Sequence, residues 1–139
     1  MNVPYDERQH LRTAVQRQPA DFIAWVMLAD AELGAGDLDA GERAAQRALQ
    51  LRRDHPEALA RLGRARWMQG RHEEAANLVR HASRQVPQHP GIALWLGHAL
   101  EDAGQPEAAA DAYRRAHALL PDEAYVAAQR LNWQRRLCD

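Results

Sequence analysis

The sequence of 139 residues has no lysine and one each of serine, threonine, phenylalanine and cysteine. Strand-forming residues are scarce while alanine occurs 28 times, so a sheet-based enzyme is not expected. The lone Cys138 cannot form an internal disulfide, and the fold therefore does not depend on an oxidising compartment. No apolar run approaches the ~20 residues that span a bilayer, and the N-terminus is too polar for a signal peptide. A cytoplasmic location is expected.

The charges nearly cancel. Eighteen arginines face nineteen acidic residues, for a formal net charge of −1. This balance gives no electrostatic reason to expect a nucleic-acid partner, and no membrane partner is expected either. A single domain of this length can bury roughly two-thirds of its unfolded surface, so a real core is available.

An internal repeat of 34 residues organises the chain, because Gly36, Gly70 and Gly104 recur at that interval. Other columns keep the same spacing: Leu28, Leu62 and Leu96; Ala29, Gly63 and Gly97; Ala31, Ala65 and Ala99; Ala48, Ala82 and Ala116; and Pro19, Pro87 and Pro121, with Arg53 in place of a further proline.

Each unit has the pattern of two helices joined by a glycine turn. Apolar residues recur at helical spacing, and the glycine can then take the left-handed conformation that releases the chain. Either Asp37 or Asp39 can cap the second helix, the latter with Glu42 as its capping-box partner. Prolines that fit the first turn of a helix are Pro56, Pro90 and Pro106.

This 34-residue helix–turn–helix period resembles the tetratricopeptide repeat (TPR). The resemblance implies an all-α, right-handed superhelix of antiparallel helix pairs in one domain over residues 1–139. We assign three repeats, at 20–53, 54–87 and 88–121, preceded by an N-terminal helix at 5–18 and followed by a C-terminal capping helix at 122–137.

In TPR proteins the first helix of each pair lines a concave groove, so the resemblance also implies a binding surface. Its predicted residues are Ile23, Val26, Asp30, Leu33, Arg61, Arg64, Trp67, Met68, Leu94, Trp95, His98, Glu101 and Asp102. Trp, Met and Arg are enriched at protein interfaces, which favours a peptide or partner domain in the groove. For Trp67 and Trp95 the alternative is burial between helices.

One specialised groove is not expected. Chaperone-tail clamps of the TPR family hold a C-terminal carboxylate with Lys and Asn at set positions. Those positions here carry Val26, Asp30, Arg61, Gly91 and Trp95, of which only the arginine suits an anion. A co-chaperone role is therefore not predicted.

No catalytic constellation stands out in the sequence. Ser83 has no nucleophile-elbow motif around it, Cys138 lies at the extreme end, and His72 lacks the HExxH spacing of zinc proteases. His55 and His89 precede prolines and are interpreted as loop residues before helices, whereas His98 is expected to project into the groove. We therefore expect no enzyme, no cofactor and no metal site in this chain.

A narrower resemblance covers nearly the whole chain. The segment PGIALWLGHALEDAGQPEAAADAYRRAHALLPDE followed by AYVAAQRLNWQRRLCD resembles the N-terminal TPR region of bacterial homologues of O-linked N-acetylglucosamine transferase. This implies a substrate-recognition arm for a glycosyltransferase whose catalytic lobes lie elsewhere. The asparagine ladder of the animal enzymes is missing, since the only asparagines are Asn2, Asn77 and Asn132. The alternative is a stand-alone scaffold or adaptor.

The last residues, LNWQRRLCD, stop inside an amphipathic pattern that directs Trp133 and Leu137 towards an apolar neighbour. Arrays that end usually carry a polar outer face. We therefore expect a following domain, or a homodimer through this helix, with a complete small adaptor as the alternative.

Overall fold

The computed structural model describes residues 6–120, which form α-helices and no strand within that range. The helices are α1 (Glu7–Arg17), α2 (Phe22–Gly34), α3 (Leu38–Leu51), α4 (Pro56–Met68), α5 (His72–Gln85), α6 (Pro90–Asp102) and α7 (Pro106–Leu119). The pairs α2–α3, α4–α5 and α6–α7 lie within 20–53, 54–87 and 88–121. The predicted helix at 122–137, with Trp133, Leu137 and Cys138, lies outside the described residues.

Aspartates begin the first three helices. The side chains of Asp6, Asp21 and Asp37 accept hydrogen bonds from backbone N–H groups three residues later, at 3.1–3.3 Å. Such a bond satisfies one of the backbone donors that a helix start leaves open. Of the two candidates for α3, Asp37 is therefore the cap, and Asp39 lies in the first turn.

Histidines begin α4 and α6. Nδ1 of His55 accepts from the backbone N–H of Glu57 at 3.2 Å, and Nδ1 of His89 accepts from Ile92 at 3.1 Å. The following prolines occupy the first helical turn as expected, as does Pro106 in α7. The two histidines therefore have a definite structural role that the sequence did not reveal.

The three lattice glycines make the turns within the pairs. Gly36, Gly70 and Gly104 have φ of 88°, 84° and 77°, the left-handed region in which a side chain would be strained. Each donates its N–H back to the preceding helix, as Gly36 does to the carbonyl of Leu33 at 3.0 Å. The predicted left-handed helix ends are confirmed.

Small residues let paired helices approach closely. A Cβ on Gly63 would lie 2.6 Å from Val79, and one on Gly97 would lie 2.6 Å from the ring of Tyr113. Side chains of the second helix therefore lie directly against the first. Contacts between α2 and α4 and between α4 and α6 align the first helices in one layer, and Arg115 reaches Ser83 across the other layer.

A buried ion pair attaches α1 to α2. Glu32 is 1% exposed and accepts from Nε of Arg12 at 2.7 Å and from its Nη2 at 3.0 Å, while Arg8 lies 3.8 Å away. The hydrogen bonds and charge of Glu32 raise the pKa of Arg12. Because an arginine is charged throughout the physiological range, this contact persists there.

Candidate partner-binding groove

Charged side chains connect α2 and α4 on the layer of first helices. The Asp30 carboxylate of α2 accepts from Arg61 Nε at 3.1 Å and from Arg64 Nη1 at 3.4 Å. Arg61 also bonds Glu57 one turn earlier, and Nε2 of His89 lies 3.4 Å from the other oxygen of Glu57. The network therefore links all three first helices.

The carboxylates of this network are more exposed than its arginines. The side chains of Asp30 and Glu57 are 40% and 34% exposed, against 26% for Arg61 and 15% for Arg64. The network surrounds a cavity of about 340 Å³, which Ile92 and Trp95 also line. Both guanidiniums are thus already bonded within the chain, and the groove shows a partner mainly carboxylate oxygens.

Two tryptophans stand beside this network. The rings of Trp67 in α4 and Trp95 in α6 lie 5.4 Å apart at 81°, an edge-to-face contact. Nε1 of Trp67 donates to Asp102 at 2.5 Å, and the Arg64 guanidinium lies 6.0 Å from the Trp95 ring centre. Both rings are partly buried, so each packs against its neighbours and still reaches the groove surface.

A second and larger cavity of about 580 Å³ lies on the other side of this aromatic pair, at the edge formed by the glycine turns. We call it the rim cavity. Its lining residues are Gly36, Leu38, Trp67, Met68, Gly70, His72 and Asp102. The sequence did not place Leu38 and His72 here, although they are 34 residues apart and each follows a turn glycine by two residues.

The most exposed large apolar side chains of the described residues are Ile23 at 57% and Met27 at 46%, both on α2. Spacings of four and three residues put them on the same helix face as Asp30, which faces α4. The groove therefore begins with an apolar surface on α2 and continues into the ion-pair network.

Four predicted groove residues are buried instead. Leu33 is 0% exposed, His98 is 5%, and Val26 and Leu94 are each 7% exposed. These side chains pack within and between the helices and offer a partner almost no surface. The expectation that they form the binding surface is wrong in this respect. Glu101, by contrast, is exposed, and the remaining predicted residues are partly or fully accessible.

His98 has a specific reason for its burial. Nδ1 of His98 lies 2.9 Å from the hydroxyl of Tyr113, which itself donates to Glu101 at 2.6 Å. The hydroxyl has one hydrogen, so it accepts from a protonated Nδ1 of the histidine. The histidine therefore connects α6 to α7 and does not project into the groove as expected.

Within residues 6–120, no group of three or more His, Cys, Asp or Glu side chains is arranged to hold a metal ion. None of the helices in this part of the chain combines the length and apolar character needed to cross a bilayer.

The two layers of antiparallel helices and their accessible inner face define an α-solenoid built from helix pairs. The chain belongs to the tetratricopeptide repeat family, whose model matches it at residues 8–56, 26–90 and 61–124. Family membership indicates a non-enzymatic repeat module of the class that binds other proteins.

Solved TPR structures share the fold. A crystal structure of MamA has a TM-score of 0.71 at 17% identity, covering 82% of this chain and 67% of that one. A thermophilic TPR protein in Thermus thermophilus has a TM-score of 0.74 at 19% identity, covering 81% and 63%. A second MamA structure is 22% identical with a TM-score of 0.67, covering 78% and 60%. The chain thus spans 60–67% of the length of these proteins. No curated protein sequence matches it.

Proposed function

We propose that this chain is an interaction scaffold that holds a peptide or a partner domain in its groove. The observation that carries the proposal is the exposed apolar surface of Ile23 and Met27, which continues into the ion-pair network and the tryptophans. Apolar side chains kept exposed beside polar ones are typical of a binding surface. The proposed contact residues are the accessible members of the predicted set, from Ile23 to Asp102, together with Met27 and Glu57.

The test is a comparison of three immobilised forms of the full chain in a lysate of the source cells. They are the wild type, the double variant Ile23→Ser/Met27→Ser, and Leu119→Ser, which changes a large apolar residue that is 37% exposed outside the groove. We expect the same proteins on the wild type and on Leu119→Ser, with a loss of about 30-fold or more on the double variant. Equal capture by all three forms would contradict the proposal.

The measured affinity of a captured partner then tests the tryptophans. Replacing Arg64 and Trp67 together by alanine removes a ligand of Asp30 and the ring that supports Trp95. We expect partner affinity to fall by a few kcal/mol, that is, about 30-fold or more, because aromatic and arginine residues dominate interface energies. A partner that binds this double variant unchanged does not use the groove.

We further propose a cytoplasmic, stand-alone scaffold as the setting, for which the likeness to TPR protein structures is the support. The second candidate is the substrate-recognition region of an O-linked N-acetylglucosamine transferase, which rests on the resemblance of residues 88–137. An antibody against this region, used on source-cell lysate, distinguishes the two. A band near 15.7 kDa supports the scaffold, whereas a much larger band, with sugar-nucleotide-dependent transfer activity, supports the transferase.

A further inference from the structure

The rim cavity differs in charge from the cavity beside it. The smaller cavity is lined by two arginines and two carboxylates that bond one another. The lining of the rim cavity contains the carboxylate of Asp102 and no arginine. Its other walls include the apolar side chains of Leu38 and Met68, which limit the water that can compete at the carboxylate.

The aromatic wall of the rim cavity is held in place before any ligand arrives. Trp67 is fixed at two points, by its N–H bond to Asp102 at 2.5 Å and by its edge-to-face contact with Trp95. A fixed indole face beside a carboxylate suits a cation, since the ring face carries partial negative charge. Because a carboxylate accepts several hydrogen bonds, the bond from Trp67 leaves Asp102 able to accept more.

A third feature of the wall is an unsatisfied donor or acceptor. Among the described residues, Nδ1 of His72 is the buried side-chain nitrogen without a hydrogen-bond partner. A buried polar atom in that state costs free energy. Rotation of the imidazole ring would turn this nitrogen towards the cavity, where a donor from a bound molecule could satisfy it.

From these observations we infer that the rim cavity is a binding pocket for an arginine side chain of the partner. The planar guanidinium stacks on Trp67 and donates to Asp102, while its methylene stem lies against Met68 and Leu38. An apolar side chain would bury the carboxylate without a new hydrogen bond, which is unfavourable. The inference rests on the proposed function, and it gives the partner a chemistry: a segment that carries an accessible arginine.

The probe for the test is N-acetyl-L-arginine amide, with N-acetyl-L-citrulline amide as a neutral probe of nearly the same shape. Each is titrated into the ¹⁵N-labelled full chain, and the indole N–H resonance of Trp67, assigned through Trp67→Phe, is followed. We expect a saturable shift with the arginine probe in the millimolar range. Citrulline should shift the resonance at least about tenfold more weakly, because it forms no charge-assisted bond.

Asp102→Asn is the decisive variant, because the amide oxygen can still accept from Trp67 while the charge is lost. It should weaken arginine binding by about tenfold or more. Glu101→Gln removes a neighbouring charge that does not line the cavity and should change the affinity less than about twofold. Thermal unfolding by circular dichroism checks that both variants fold, and higher salt should weaken wild-type binding.

The absence of a Trp67 shift, an equal response to citrulline, or unchanged binding by a folded Asp102→Asn would each overturn the pocket. These failures are separate from failure of the groove. Protein capture that depends on Ile23 and Met27 without any arginine response leaves the scaffold and removes the pocket. An arginine response in a chain whose capture ignores Ile23 and Met27 does the reverse.

Discussion

The interface between α1 and α2 and the interface between α3 and α4 use equivalent repeat positions with their charges reversed. In the first, Glu32 of α2 binds Arg12 of α1 and lies near Arg8. Moving 34 residues along the chain replaces Glu32 by Arg66 and Arg8 by Glu42, and these two also form an ion pair. The repeat therefore conserves a contact between two positions and not the charge at either one.

The interface between α5 and α6 fills the same two positions with apolar residues. Ala76 and Leu100 are 0% and 2% exposed and belong to one core cluster. The three interfaces thus pair side chains of three different chemistries. A helix pair stacked on the wrong neighbour would place Glu32 beside Glu42, and such like-charge contacts act against a misordered stack.

The two ion pairs also differ in burial, which predicts different energies. Glu32 is 1% exposed while Arg12 keeps 43% of its side-chain exposure. Arg66 and Glu42 are 15% and 21% exposed, and Arg66 has a second carboxylate nearby, from Glu74 at 3.3 Å. The pair at α1–α2 therefore depends more strongly on its acid than the pair at α3–α4 depends on either partner.

The largest effect is expected for Glu32→Arg, which copies the charge of Arg66 into the wrong interface. Three arginines would then meet at a buried site, and we expect a loss of about 4 kcal/mol, with α1 detached from α2. Urea unfolding measures the loss, and amide hydrogen exchange over Glu7–Arg17 measures the detachment.

Combining Glu32→Arg with Arg12→Glu reproduces the charge arrangement of α3–α4, and should restore protection of α1 in large part. Glu107→Arg reverses an exposed charge and serves as the control, with an expected change below about 0.5 kcal/mol. If the combined variant were no better protected than Glu32→Arg, charge matching would not explain the comparison.

A smaller loss is expected for Leu100→Ala in the apolar interface. Leu100 is 2% exposed within the core cluster, so its truncation removes buried methylenes and leaves a cavity, at a cost of about 3 kcal/mol. Urea unfolding at two salt concentrations separates this loss from the ionic ones, because the loss for Leu100→Ala should not depend on salt. A strong salt dependence would mean that the variant disturbs a neighbouring ion pair.

The sequence predicted the helices and turns because those features depend on local chemistry. A glycine at a left-handed turn or a proline in a first turn has its effect at its own position, and the 34-residue spacing repeats it. Ion pairs are different, because a long side chain can choose among several partners. Arg61 and Arg64 were expected to meet a ligand, but they bond Asp30 and Glu57.

Burial of His98 shows why repeat position alone did not predict the accessible surface. Asp30, Arg64 and His98 are equivalent by spacing, and the first two reach the groove network. His98 is covered because Tyr113 lies against Gly97 and extends its hydroxyl to the imidazole. The equivalent of Tyr113 in the preceding repeat is Val79, which is too short for that contact. One side chain on the other layer thus decides the outcome.

The smallest effect is expected for the pair Arg66 and Glu42, whose members keep some solvent and have other contacts. Arg66→Leu copies Leu100 into this interface, and Glu42 retains its hydrogen bond from Gln69 at 3.3 Å. The carboxylate can also be hydrated, so we expect a loss of about 1 kcal/mol or less.

Adding Glu42→Ala to Arg66→Leu copies the apolar arrangement of α5–α6 in full. In a double-mutant cycle by urea unfolding, the coupling between the two changes should be about 0.5–1 kcal/mol in favour of the matched pair. The same cycle at Glu32 and Arg12 should give a larger coupling, because Glu32 is the more buried acid and accepts two hydrogen bonds from Arg12. Equal couplings would show that burial does not set the energetic difference between the two interfaces.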